Sequence, residues 1–388
     1  MYIEQIGAIS ALGRGKQATL DALASGESKG MARLGEPLYS GRFGCVASIV
    51  EELPPVPTSF RHWDNRNNRI AAACFEQIQQ GVERAISSMG AHRIGVVIGT
   101  STCGIAEGEK AIRHFQQHRQ LPDDFQFSHQ DIGNSADFIA KLAQVDGPRF
   151  SISTACSSAA RTFISAQKLL QTGVCDAVIC GGVDSYCDLT VNGFDALEQV
   201  SSDPCMPFSS ERRGINIGEA GALFLCTREP AALYLAGWGE SAEGHHMSAP
   251  LPSGEGAQQA MQQALTMANL SAADIGYVNA HGTATQLNDA MESKAISELL
   301  GDTPVSSTKA LTGHCLGAAA AIEAAICCWS LEHQTLPQQF PRSSELDPEC
   351  SPINLVKSEQ ALTDNFVISN SFAFGGNNAA LIFGVTRD

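Results

Sequence analysis

Residues 149–160 read Arg-Phe-Ser-Ile-Ser-Thr-Ala-Cys-Ser-Ser-Ala-Ala, and this stretch constrains the chain more than any other. Phe150, Ile152 and Thr154 alternate with Ser151 and Ser153, the period of a strand over 150–154. From Ala159 through Ile164 to Leu170 the apolar spacing turns helical, and Gly173 supplies a stop. Cys156 therefore falls at a strand-to-helix corner with small residues in the first helical turn. Unpaired backbone N–H groups and the helix dipole at such a corner favour negative charge. The spacing thus predicts a thiol that loses its proton easily, beside N–H groups able to hold an oxyanion. The competing reading is a small buried side chain in a tight turn, the common fate of a free cysteine.

A chain of 388 residues is too long for one ordinary layer pair and points to two domains or two fused halves. Arg93–Thr100 and Ala177–Gly182 are continuous apolar runs, expected as strands buried on both faces. Further on, Ile275–Ala280 reads as a strand ending at His281. Pro304–Thr308 reads as another, followed by Lys309, a turn to His314 and an Ala-rich helix to about Leu331. Phe366–Asn370 and Ala379–Val385 read as strands flanking Phe374-Gly-Gly376. Strand, reactive residue and helix thus occur twice, once around Cys156 and once around His314. This hints at an internal duplication. The expectation is an α/β chain with a mainly parallel sheet in each half, divided as 1–230 and 231–388.

Composition narrows the function. A net charge of −16 argues against general nucleic-acid binding, which needs a basic footprint. The thirteen cysteines are scattered without framework spacing, the pattern of thiols used as core filler in a reducing compartment. Met1-Tyr-Ile-Glu starts a strand at once, without the regions of a signal peptide, and the richest apolar run, Ala318–Leu331, contains Glu323. A cytoplasmic location without membrane insertion is expected. His114 and His118 stand four apart on a predicted helix over 105–119, but no further ligands lie near, so no metal site is expected. The Gly-rich loop around Gly214, Gly218 and Gly221 lacks the strand–GxGxxG–helix order of a dinucleotide site. Arg61, Arg66 and Arg69 form a basic cluster that reads either as a solvated helix start or as a docking patch.

Three motifs accompany Cys156. They are Asn279-Ala-His281-Gly-Thr283-Ala-Thr285 with Asp289 and Glu292 following, Thr308-Lys309 through Gly313-His314-Cys-Leu-Gly317 to Glu323, and Asn370-Ser-Phe-Ala-Phe374-Gly-Gly376-Asn-Asn378. In this order, after a Thr-Ala-Cys corner, they resemble the β-ketoacyl-acyl-carrier-protein synthases of the elongating type. The resemblance covers nearly the whole chain, including Gly7–Gly13, the loop around Gly218-Glu219-Ala-Gly221 and the run His246–Gly256.

The resemblance implies a thiolase fold: two similar α/β halves in a five-layered αβαβα arrangement, usually dimeric, as a homodimer or with a related subunit. It implies a decarboxylative condensation in which Cys156 carries the acyl group and acyl carrier protein delivers both substrates. Their phosphopantetheine arms travel with them, so no separate cofactor is expected. By the same resemblance, His281 and His314 hold the malonyl thioester oxygen, and Lys309 and Glu323 support them. The N–H groups of Cys156 and Phe374 form the oxyanion hole. Thr283, Thr285 and Ser248 contact substrate, and Phe374 gates the acyl pocket. Because the carrier is acidic, Arg61, Arg66 and Arg69 become its expected dock, with Arg212 and Arg213 beside them.

Some positions depart from the family pattern. Ala373 stands where Gly is usual, Asn377 where Thr is usual and Gln286 where Pro is usual, and Ser209 and Arg213 where Asp is common. Thiolase, the nearest rival, would need a second cysteine in the Phe374–Asn378 turn, which has none. A non-catalytic subunit that sets chain length would lack the nucleophile.

Overall fold

The computed structural model describes residues 1–387. Ten strands carry the architecture: β1 (Tyr2–Ser10), β2 (Ile94–Gly99), β3 (Arg149–Ile152), β4 (Ala177–Asp184), β5 (Ala220–Thr227), β6 (Leu233–Ala242), β7 (Ile275–Asn279), β8 (Pro304–Ser306), β9 (Phe366–Ala373) and β10 (Asn377–Val385). With the two-residue strands Gly13–Arg14 and Asn354–Leu355 they make one twelve-stranded sheet.

The first five lie in the order β1-β5-β4-β2-β3 and the last five in the order β6-β10-β9-β7-β8. Chain order and spatial order match position by position, so the duplication is a duplication of topology. The two sets join edge to edge where β1 meets β6, with Tyr2 opposite Tyr234 and Ile3 opposite Leu233.

The second half has three parallel pairs against two antiparallel ones, counting Asn354–Leu355 beside β8, whereas the first half has two parallel against three antiparallel, contrary to the expectation for that half. In each half, the fourth strand of the order pairs parallel with two neighbours, β2 with β3 and β4, and β7 with β8 and β9. The pairs β4–β5, β5–β1, β9–β10 and β10–β6 are antiparallel. The turn Phe374–Gly376 is too short for anything but an antiparallel return. Continuous apolar runs such as β5 report burial on both faces, which here comes from helices on both sides whatever the pairing.

Eight helices matter: α1 (Arg66–Met89), α2 (Ile105–His118), α3 (Asn134–Ala143), α4 (Ser158–Gln171), α5 (Asp188–Ala196), α6 (Glu255–Ala268), α7 (Gln286–Leu300) and α8 (Ala319–His333). Helix α1 packs on β1 and β5 and α3 on β2 and β3, covering the outside of the first half. Helix α6 packs on β6 and β10, with α7 against it, outside the second half. Between the halves, α4 lies on β2 and β4, while α8 touches β9 and β10 on one side and β4 and β5 on the other. The result is five layers in the thiolase arrangement. Every residue of α8 from Ala319 to Leu331 is buried, as a helix apolar all round must be. All thirteen cysteines are free and buried, as core filler should be. Among the described residues no helix is long and apolar enough to cross a membrane.

Candidate active site

The carboxyl ends of strands from both halves converge on one cavity. The chain leaving β3 turns through Ala155, held at φ +52°, and presents Cys156 just before α4. The end of β7 delivers His281. Beyond β8, the short helix Lys309–Thr312 leads to His314, and β9 runs directly into Phe374. Cys156 Sγ lies 2.9 Å from His314 Nε2. The imidazoles of His281 and His314 stand nearly perpendicular, ring centres 5.3 Å apart. One ligand atom from each of Cys156, His281 and His314 falls within 4.8 Å of the others, and all three side chains are buried.

The ionisation of Cys156 differs from the expectation. Burial pushes the thiol up to about 11, against the opposing pull of the Lys309 charge and of the N–H groups of Phe374 and Cys156 itself. The corner does supply donors, but the cost of desolvating a sulfur anion exceeds what they return. Both histidines are held well below the ordinary imidazole range, by burial first and the Lys309 cation second. The resting site is therefore a neutral thiol beside two neutral imidazoles. The N–H groups that reach Sγ, those of Cys156 and Phe374, are the pair expected to form the oxyanion hole.

Thiol and imidazole atoms are also zinc donors. The cationic Lys309, whose charge is felt by all three residues, opposes a metal ion there. His114 and His118 stack with ring centres 4.4 Å apart on α2, and no third ligand joins them among the described residues.

Buried polar groups surround the trio. Lys309 pairs with Glu323 of α8, and each side chain is only 1% exposed. Glu292 of α7 accepts the N–H of His281 and of Gly282, both at 2.7 Å, and burial pushes its carboxyl up to about 7. Gly282 sits at φ +34° with Ser307 Cβ 2.5 Å from where its own Cβ would be, so only glycine fits after His281. Glu243 joins the walls of the entrance: it accepts from Leu251 N–H at 2.9 Å and from Asn378 Nδ2 at 2.7 Å, while its own N–H donates to the Gly376 carbonyl. Glu292 closes the first sequence motif but has no role assigned there, and Glu243 has no signal in the sequence. An acid at 292, on the α7 face that also buries Met291, Ala295 and Ile296, is the signal that could have marked its role.

The trio opens on one cavity, whose empty space of about 670 Å³ includes its open mouth. Cys156, His281 and His314 line it with Thr283, Thr285, Ser248 and Phe374, so every expected substrate contact opens on the same space. Thr283 and Thr285 share a hydrogen bond of 2.9 Å. Ala373 and Asn377 form the last strand pair before the Phe374 turn, and the negative φ of Ala373 accepts a methyl group without strain. Phe374 packs against Phe194, ring centres 5.5 Å apart.

The basic cluster is divided. Arg66 grips the buried carboxylate of Glu219 and Arg69 holds Asp64 with two bonds of 2.6 and 2.8 Å. Both serve internal ion pairs that the sequence did not reveal. Arg61 is exposed and has no ion-pair partner among the described residues. Arg212 is buried against Asp347, whereas Arg213 is exposed.

Two family models match the chain: the N-terminal domain of β-ketoacyl synthase over residues 66–231 and its C-terminal domain over 233–342. The 3-oxoacyl-[acyl-carrier-protein] synthase 2 of Staphylococcus aureus is 33% identical over 344 residues, covering 82% of this chain and 84% of that protein. Among solved structures, a chain of the ketosynthase ApeO in complex with its chain length factor ApeC, from Xenorhabdus doucetiae, is 42% identical with a TM-score of 0.96, covering 99% of this chain and 98% of that one. A β-ketoacyl synthase from Burkholderia phymatum is 25% identical with a TM-score of 0.88, covering 100% and 99%.

Proposed function

The chain belongs to the β-ketoacyl synthase family, acyltransferases of thiolase fold, with its cysteine and two histidines intact, and from that premise we propose that it condenses malonyl-acyl-carrier protein with an acyl group held on Cys156. The observation that carries this reading is the convergence of Cys156 Sγ and the two imidazoles within 4.8 Å inside the cavity.

In the first half-reaction the sulfur, its proton passing toward His314 Nε2, attacks a carrier thioester. A new thioester forms on Cys156, and the carrier's sulfur leaves and takes up a proton. The N–H groups of Cys156 and Phe374 hold the oxyanion. In the second, malonyl-carrier enters with its thioester oxygen against His281 and His314. Neutral imidazoles suit this task, because each can donate one N–H to an oxygen gaining charge. The bond to the malonyl carboxylate breaks and CO₂ leaves. The electron pair, held as an enolate, attacks the Cys156 thioester carbon, expelling the sulfur, which takes up one proton from solvent. Lys309 and Glu323 orient the histidines and set the local charge without carrying protons. Thr283, Thr285 and Ser248 receive the pantetheine arm.

The product is a β-ketoacyl-carrier protein for fatty-acid synthesis or a related polyene or polyketide route. The division at 230/231, with Cys156 in one half and the histidines in the other, is part of the same proposal. The dimer is proposed in its heteromeric form, with a related subunit, on the strength of the ketosynthase and chain-length-factor structure it resembles.

The test is an in vitro condensation with malonyl-carrier and a panel of acyl-carriers, read by intact-protein mass spectrometry. The wild-type protein should gain one acyl mass and then release a β-ketoacyl-carrier. Cys156→Ala should gain none, and an acyl mass on that variant would refute the nucleophile.

A further inference from the structure

One wall of the cavity is built from α5 and the residues after it, Phe194 and Gln199, with Ile215 beside them. Phe194 is the side chain that meets Phe374. Charge tethers α5 at both ends, and each tether comes from another element. At its start, Glu109 of α2 accepts the N–H of Asp188 at 3.1 Å and of Leu189 at 2.6 Å, a carboxylate where the helix dipole favours one. At its end stands Asp195, an acid in the last turn with a side chain only 3% exposed, disfavoured by both the dipole and burial. Arg42 resolves both problems. Its guanidinium holds the Asp195 carboxylate and donates to the Asp195 carbonyl at 2.8 Å.

Arg42 lies in a surface strap, residues 38–44, that crosses α5. Tyr39 N–H donates to Asn192 Oδ1 at 2.8 Å, and Leu38 packs with Val191, Val200 and Ile215. Tyr39 itself is 84% exposed, so the strap has few apolar anchors and depends on these polar ones.

We infer that Arg42 and Asp195 are positioning residues that set which acyl chains the cavity accepts, by fixing Phe194 against Phe374. The inference rests on the acyl-cysteine reading above. A buried acid–arginine pair is a weak source of stability, whereas its fixed geometry specifies where the next side chain points. The residue adjoining Asp195 is the aromatic that lines the cavity. Loosening the pair frees the last turn of α5 and with it the space beside Phe374, where an acyl chain longer than acetyl must go.

The test uses acetyl- and octanoyl-pantetheine thioesters with the full chain and reads initial acylation of Cys156 by intact mass. The ratio of the two rates is insensitive to the folded fraction. Arg42→Ala and Asp195→Asn should each change the octanoyl-to-acetyl ratio at least about fivefold in the same direction, and Arg42→Lys should restore it. In a Phe194→Ala background, Arg42→Ala should change the ratio by less than about twofold, because the pair acts through that ring. Should Asp195→Asn fail to fold, Arg42→Ala decides, since the Arg42 side chain is 48% exposed. Ratios unchanged in the single variants, or an Arg42 effect that persists without Phe194, overturn the inference alone. A wild-type chain that takes up no acyl mass overturns the acyl-cysteine reading and this inference with it.

Discussion

The two halves lay five strands in the same order, yet they use the ends of equivalent strands differently. In the second half, the chain beyond β7, β8 and β9 gives His281, His314 and Phe374, all on the cavity. In the first half only the chain beyond β3 brings a reactive group, Cys156, while the chain beyond β4 lends wall residues such as Phe194 and Gln199. The segment after β2 and the end of β4 form a brace. Asp184 Oδ1 gathers Thr100 Oγ1 at 2.7 Å, the N–H groups of Ser101 and Thr102 at 2.8 Å, and Thr102 Oγ1 at 2.9 Å. Its other oxygen reaches across to the N–H of Ala318, four residues past His314. A duplicated scaffold has thus been divided into a half that supplies the nucleophile and steadies the site, and a half that supplies the imidazoles. The helices show the same division. Helix α4 behind Cys156 keeps a partly exposed face, open at Lys168 and Gln171, while α8 behind His314 is buried from Ala319 to Leu331 between the sheets.

The largest expected effect tests whether the Cys156 corner is reactive by itself. With the thiol pushed up to about 11, alkylation of Cys156 by iodoacetamide in the free protein should rise about tenfold per pH unit from pH 7 to pH 10, with Cys156→Ala as the blank. The sign follows from the reactive form being the thiolate, whose fraction grows until pH reaches the pKa. A plateau by pH 8 would mean that the N–H groups at the corner outweigh burial, and that the first half activates its nucleophile unaided.

The two histidines give the next effect. His281→Ala and His314→Ala should each slow condensation by about 10²–10⁴. They should separate by half-reaction. His314→Ala should also slow acylation, because its Nε2 is 2.9 Å from Sγ, whereas His281→Ala should chiefly abolish malonyl decarboxylation. Equal losses in both half-reactions would erase the distinction between them.

What the sequence made legible follows the same line. The corner at Cys156 and the three motifs were visible because short, local patterns place them, and the structure brings those residues to one cavity. The thiol's proton affinity was not, because helix dipole and backbone donors are local while desolvation is set by residues from the other half. Neither were the partners of Arg66 and Arg69, since Glu219 is 153 positions from Arg66 and a bare cluster of cations does not show which carboxylate fills it. Strand β6 and helices α5, α6 and α7 carry weaker patterns. Helix α7 mixes buried Asn288, Asp289 and Glu292 into its inner face, because that face holds up the His281 loop as well as the core.

A smaller effect concerns how α8 serves the site. Lys309→Met leaves Glu323 buried without its partner and should cost about 3–5 kcal/mol of stability, seen as a lowered midpoint of thermal unfolding. Adding Glu323→Leu should return most of that stability without returning the condensation rate, since the Lys309 charge that adds to burial in holding both imidazoles down is gone. A double variant with full activity would show that the pair merely fills the space between the halves.

The smallest effect separates the halves at the surface. The proposed partner is an acidic carrier protein and this chain has a net charge of −16, so the proposed docking needs local positive charge. Arg66→Glu would confound the measurement, because it strands the buried Glu219 carboxylate. Arg61, exposed in the half that carries Cys156, reports docking more cleanly. Arg61→Glu should raise the KM for acyl-carrier about three- to tenfold with kcat unchanged, and the difference should shrink as salt rises, as screening of an exposed pair requires. Small pantetheine thioesters, which have no acidic protein attached, should be turned over equally by both proteins. An unchanged KM for acyl-carrier would move the dock away from the segment before α1 and toward Arg213, the exposed cation beside Thr285 and Gln286 at the edge of the histidine-bearing half.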